Sequence, residues 1–197
     1  MSTRRGLLVL LVAGVLWGLS EIFLGDVFYR FHMPFRSAAL TSIGIAILVV
    51  GRFIFDRPGS SFAASAITAG LRCLVPKLYI CHLVAITLEG CAFDMSWTYL
   101  RAGRHAPVRR AWLASAISVY AGFLSFGLIS AYAFRFGRWV EAGLSGVLEY
   151  AIRSGTVSVV ILAALVPLAV VAGRRLVSTY RAAFEETGKQ RAEITQA

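Results

Sequence analysis

The stretch "LVAITLEGCAFDMSW", Leu83 to Trp97, is apolar at both ends and keeps two carboxylates, Glu89 and Asp94, inside it. A carboxylate at the centre of a membrane helix costs about 2.5–3.5 kcal/mol on insertion scales, so each needs a partner, a water-filled cavity or a function. The surrounding composition makes that cost relevant. Of 197 residues, 58% are hydrophobic and 15% charged. A globular domain of this length leaves roughly 30% of its unfolded surface exposed and cannot hide so much apolar area. The chain reads as an all-α integral membrane protein.

The net charge of +10 does not point to nucleic acid. Lysine and arginine fall in short gaps between apolar runs, with no basic face interleaved with aromatics. A crossing helix needs about 20 apolar residues, and six candidate spans follow: 6–28, 37–55, 59–75, 78–99, 111–134 and 156–172. The third is short, rich in Gly, Ala and Ser, and bounded by Pro58 and Pro76. The first resembles a signal peptide at its start, but its apolar run continues too far and no cleavage site follows, so it is expected to remain as an anchor.

Orientation follows from positive charge in the loops. With the amino terminus inside, 13 lysines and arginines lie on the cytoplasmic side and 7 outside. Six transmembrane helices with both termini cytoplasmic are therefore expected, residues 1–173 forming the membrane domain. Residues 174–197 form a polar cytoplasmic tail, partly helical. Between the fifth and sixth spans, "RFGRWVEAGLSGVLEYAIRSG" sets Arg138, Glu141, Ser145, Glu149 and Arg153 opposite Trp139, Val140, Leu144 and Val147. That spacing predicts an amphipathic helix at the interface or covering a mouth.

Depth then sorts the polar residues. At 1.5 Å per residue, His82 lies about 6 Å and Glu89 about 16 Å into the fourth span, and the two share a face. On the first span Trp17 and Glu21 stack one turn apart, with Glu21 near the level of His82. Arg72 and Tyr79 approach from the outer ends of the third and fourth spans. The candidate substrate site is Trp17, Glu21, Arg72, Tyr79 and His82, with Glu89 at its floor. A few hydrogen-bonding groups within aromatic and apolar walls suit a small polar solute. Plainer readings stand beside this one: Glu21 as a helix-end carboxylate near Arg30 or Lys77, His82 as structural, Arg72 as a boundary charge. Asp94 is expected at the inner boundary, paired with Arg101 or Arg104.

Gly14 and Gly18 form G-x-x-x-G in "AGVLWG", which packs the chain's own bundle or meets a partner helix. Cys73 and Cys81 flank Pro76, either as ordinary thiols or as a pair across a hairpin; neither they nor Cys91 have metal spacing. No zinc-protease, nucleophile-elbow or Walker motif is present. Neither a catalytic residue nor a metal or other cofactor is predicted.

The segments "LWGLSEIFLGD", "RPGSSFAASAITAGL" and "AITLEGCAFD" resemble stretches of the S-components of energy-coupling factor (ECF) transporters, as do the length and span count. The resemblance implies a multi-pass subunit of the cell membrane that captures a vitamin or related micronutrient. It would work with a membrane-coupling T-component and two ABC ATPases, and carry no nucleotide site itself. Such proteins meet the T-component through an A-x-x-x-A surface on the first helix, matched here in spacing by Gly14 and Gly18. Nickel and cobalt members begin Met-His; this chain begins Met-Ser, which argues against those metals. Two other readings remain open: an autonomous secondary transporter or channel with Glu89 as proton carrier, or a non-transporting membrane scaffold. Partners on the leading reading are the solute and the lipid bilayer, with no nucleic acid.

Overall fold

A computed structural model describes residues 3–75, 80–100 and 107–196, with side chains described within 6–179 of these. Six helices account for nearly all of it: α1 (Thr3–Arg30), α2 (Arg36–Ile54), α3 (Ser60–Arg72), α4 (Ile80–Tyr99), α5 (Pro107–Leu128) and α6 (Gly137–Gln196). A π-helical turn, Ile129–Ala133, prolongs α5. Four segments are long and apolar enough to cross a membrane: Gly6–Arg30, Arg36–Ile54, Pro107–Ala133 and Gly137–Thr179. Helix α3 has 13 residues and spans about 20 Å at 1.5 Å per residue.

The helices close into a ring, in the order α1, α2, α6, α5, α4, α3 and back to α1. Lipid tails offer no hydrophobic gain for helix association, so close backbone approach and polar bonds must hold such a ring. Glycine provides the approach at every interface. Gly44 of α2 receives the fully buried Trp17 of α1, and Gly173 of α6 receives Phe53 of α2. Gly127 and Gly155 seat Val147 and Tyr120 between α5 and α6, Gly122 faces Glu89 between α5 and α4, and Gly90 faces Ser65 between α4 and α3. Gly14 and Gly18 pack against Ala64, Ile67 and Leu71 of α3.

Serine and threonine add bonds across the ring. Thr68 Oγ1 donates to the Gly14 carbonyl at 2.9 Å, Ser158 Oγ to that of Ala38 at 3.0 Å, and Ser118 Oγ to that of Glu89 at 2.6 Å. The outer face of the ring is apolar: Leu8, Leu11, Leu16 and Phe23 on α1 and Val160 and Leu168 on α6 are exposed.

Of the two readings of the glycine stripe on α1, packing within the chain's own bundle is the one seen, against α3. One expectation is corrected. The amphipathic segment is not a helix separate from the sixth span. The chain breaks at Gly143, with φ 62°, and runs helical from there to Gln196. A positive φ is open to glycine at little cost, whereas Gly155, in the expected boundary "RSG", is helical and buried against Tyr120.

A Cβ at Gly14 would lie 2.7 Å from the backbone carbonyl oxygen of Ala64, while one at Gly70 meets nothing within 4 Å. Gly14→Ala is expected to cost about 1–3 kcal/mol by overpacking, and Gly70→Ala to be neutral or stabilising by up to about 1 kcal/mol. Unfolding of both variants in detergent checks this; equal stabilities would mean that α1 and α3 do not pack through Gly14.

Candidate functional site

Polar side chains gather at the two ends of the ring, and α4 contributes to both. At one end Arg52 of α2 is 2% exposed. Its Nη1 donates to Asp94 Oδ1 at 3.0 Å and Ser60 Oγ at 2.8 Å, and also to the Arg57 carbonyl. Its Nη2 donates to Thr98 Oγ1 at 3.2 Å and lies 3.1 Å from Asp56 Oδ1. The second oxygen of Asp94 accepts the N–H of Gly59, the residue that opens α3, so a carboxylate completes that helix start. Trp97 Nε1 donates to Asp56 at 3.0 Å, and Arg110 Nε of α5 donates to the Trp97 carbonyl at 2.7 Å. Asp94 is therefore a structural partner of Arg52. The expected partners Arg101 and Arg104 lie outside the described residues.

At the other end the ring encloses a cavity of about 740 Å³, to which all six helices contribute. Helix α1 supplies Glu21, α3 Arg72, α4 His82 and Glu89, and α2 Leu40 and Thr41. Phe123 and Phe126 of α5, Ser130 of the π turn, and Trp139 and Tyr150 of α6 complete the wall. The aromatic rings support one another: Trp139 meets Tyr150 edge-on at 4.9 Å, Phe123 meets Tyr150 at 5.6 Å, and Phe126 meets Trp139 at 5.8 Å. The His82 ring closes the sequence 6.2 Å from Phe126.

Arg72 fixes the histidine. Its Nη2 is 3.4 Å from His82 Nδ1, and its Nη1 donates to the Glu21 carbonyl at 3.5 Å. A guanidinium only donates, so Nδ1 accepts and the neutral ring carries its proton on Nε2. That nitrogen faces Glu21 Oε2 at 3.9 Å, too far for a hydrogen bond. Glu21 and Glu89 are each 4% exposed. Glu21 Oε2, Glu89 Oε1 and Ser130 Oγ are buried with no hydrogen-bond partner. Such groups are uncommon, because a buried polar atom without a partner bears its full desolvation cost.

The cavity thus brings together Glu21, Arg72, His82 and Glu89 of the residues expected from sequence. Trp17 is absent from it. At the depth of Trp17 the shared helical face meets α2, and Gly44 leaves the slot that the indole fills. Tyr79 and Lys77 lie outside the described residues, and Arg30 pairs with exposed Asp26 at 2.8 Å rather than with Glu21. Sequence reasoning missed the aromatic wall. Phe123 and Phe126 sit in an apolar run with nothing to separate cavity-facing from lipid-facing rings, whereas Trp139 belonged to a segment whose amphipathic spacing already suggested a cover.

The three cysteines are free. Among the described residues no three His, Cys, Asp or Glu side chains converge closely enough to hold a metal ion. No family model matches the chain, and neither a curated protein nor a solved structure does.

The two carboxylates of α4 are expected to respond differently to substitution. Asp94→Ala leaves Arg52 buried without its main counter-charge and should cost about 3–5 kcal/mol. Glu89→Gln keeps the shape and strands no cation, so its cost should stay below about 1 kcal/mol. Denaturant unfolding in detergent compares them; equal losses would make Glu89 a structural partner as well.

Proposed function

We propose that the chain is a multi-pass protein of the cell membrane that binds a small polar solute for uptake. The observation that carries this reading is the one-ended cavity: its floor holds two buried carboxyl groups, each with an oxygen that accepts no hydrogen bond, and its wall is aromatic. Few placed polar groups within apolar walls are the usual construction of a small-molecule site. The opposite end is filled by Phe93, Trp97, Leu48 and the Arg52 network, which leaves a pocket rather than a conduit. This favours capture over a channel.

On this reading all six helices cross the bilayer, with both termini cytoplasmic and the cavity facing outward. The coherent ends of the ring support it. Arg52, Asp56, Asp94, Trp97 and Arg110 cluster at one end, and Glu21, Arg36, Arg72, His82 and Arg138 at the other. Helices α3 and α4, too short or too polar to qualify alone, run between the same two ends within the ring. Energy for uptake would come from partner ATPases through a coupling membrane subunit, as the ECF resemblance implies, since the chain has no Walker motif of its own. With Gly14 and Gly18 engaged by α3, the coupling subunit would meet the exposed face of α1 carrying Leu8, Leu11 and Leu16.

Two measurements test the reading. Native mass spectrometry of the chain purified from its own host should find a stoichiometric small molecule that is lost in Glu21→Ala and His82→Ala variants of intact fold. A ligand-free chain without associated ATPases would overturn it. In a cysteine-free background, a cysteine at Phe31 should react in intact cells with a membrane-impermeant maleimide, and one at Arg57 only after lysis. The reverse pattern would invert the topology and point the cavity inward.

A further inference from the structure

The chemistry of the cavity floor narrows the solute, on the premise that the cavity is the solute site. Two buried carboxylates, on α1 and α4, present oxygens that no protein donor reaches, and Ser130 Oγ adds a third unpartnered atom. Whichever carboxyl carries a proton, acceptor positions outnumber donors there. Of the nearby donors, His82 Nε2 stands 3.9 Å from Glu21 Oε2, beyond hydrogen-bond reach, and Trp17 Nε1 is buried without a hydrogen-bond partner. Arg72 is held by the Glu21 carbonyl and His82 Nδ1. Arg36 and Arg138 line the same cavity but are exposed, stacked over Tyr29 at 4.9 Å and Trp139 at 5.6 Å.

We infer that the solute carries a cationic, hydrogen-bond-donating nitrogen group, such as an amidinium or a protonated amine, on a flat apolar body, with that group seated between Glu21 and Glu89. Its donors would satisfy Glu21 Oε2 and Glu89 Oε1, neither of which accepts a hydrogen bond from the protein, and its charge would offset theirs. The aromatic wall favours the same sign of charge, because tryptophan and tyrosine faces attract cations, as the Arg138 guanidinium over the Trp139 ring at 5.6 Å illustrates. An anion at the floor would bring no donor to Glu21 Oε2 or Glu89 Oε1 and would leave both without a hydrogen bond. A bare divalent cation would lack a third ligand among the described residues.

The test uses two probes of matched shape and opposite charge, benzamidinium and benzoate, with the intact chain in lipid nanodiscs. Dissociation constants come from ligand-observed saturation-transfer NMR. Benzamidinium is expected to bind saturably and roughly tenfold or more tighter than benzoate, the factor that one charge-assisted hydrogen bond supplies. Glu21→Gln and Glu89→Gln should each weaken it by a similar factor and leave benzoate unchanged or improved. Benzoate binding as tightly as benzamidinium, benzamidinium indifferent to both substitutions, or neither probe binding would each overturn the inference. The comparison on the unsubstituted chain stands even if a variant fails to fold. The co-purified molecule separates the two levels: an anionic solute without a nitrogen donor would sink this inference and leave the uptake reading intact.

Discussion

The buried pair of Arg52 and Asp94 closes one end of the ring, and the cavity at the other end depends on that closure. Placing a guanidinium in a low-dielectric interior is costly unless its donors all find acceptors. Both terminal nitrogens of Arg52 meet this with Asp94, Asp56, Ser60, Thr98 and the Arg57 carbonyl, drawn from the turn after α2, α3 and α4, and only Nε is left without a partner. Asp94 in turn accepts the amide that opens α3. One charge pair thereby fixes where α2 stops, where α3 starts and how far α4 descends, and Arg110 ties α5 to the same node through Trp97. With the closed end fixed, the short α3 delivers Arg72 to the level of His82 at the open end.

The same α4 answers the cost of its two carboxylates in opposite ways. Asp94 is surrounded by donors that belong to the protein. Glu89, five residues earlier and therefore on a different face, has its carbonyl bonded to Ser118 but a carboxyl oxygen without a donor. Gly122 opposite it leaves room for the side chain but offers no hydrogen bond. A fold stabilised for its own sake would fill such a position with an apolar residue. On the proposed reading, Glu89, together with Glu21 and Ser130 around the same cavity, keeps interactions for a solute.

Class and much of the floor were legible in the sequence because they rest on one-dimensional signals. Apolar length marked the helices, and the seven-residue spacing of His82 and Glu89 put both on one stripe. Partners across the ring were not legible. Nothing local assigns Asp94 to Arg52, which is 42 positions away, rather than to the arginines that follow it in the chain. Trp17 shows the limit of helical spacing, which gives a shared face but not the neighbour that face meets. Only the presence of Gly44 on α2 decides that the indole is core. The break at Gly143 was obscured because "AGLSG" and "RSG" carry similar turn chemistry, and burial of Gly155 against Tyr120 selects between them.

The break also explains how the cover reaches the cavity. A straight helix through residues 137–155 would carry Trp139 and Tyr150 eleven positions apart, about 16 Å along the axis. The turn at Gly143 folds the leading segment back, so that their rings meet at 4.9 Å and both reach Phe126. The π turn that ends α5 adds one residue to its last turn and brings Ser130 to the wall, the kind of local unwinding that redirects a side chain at functional positions. Two backbone irregularities, in helices otherwise regular enough to cross a membrane, thus lie where α5 and α6 meet the cavity. The closed end is held by side-chain bonds with no comparable distortion within α2, α4 or α5. Regular helices joined by a charge node hold that end, while the aromatic cover rests on a single glycine and edge-on ring contacts.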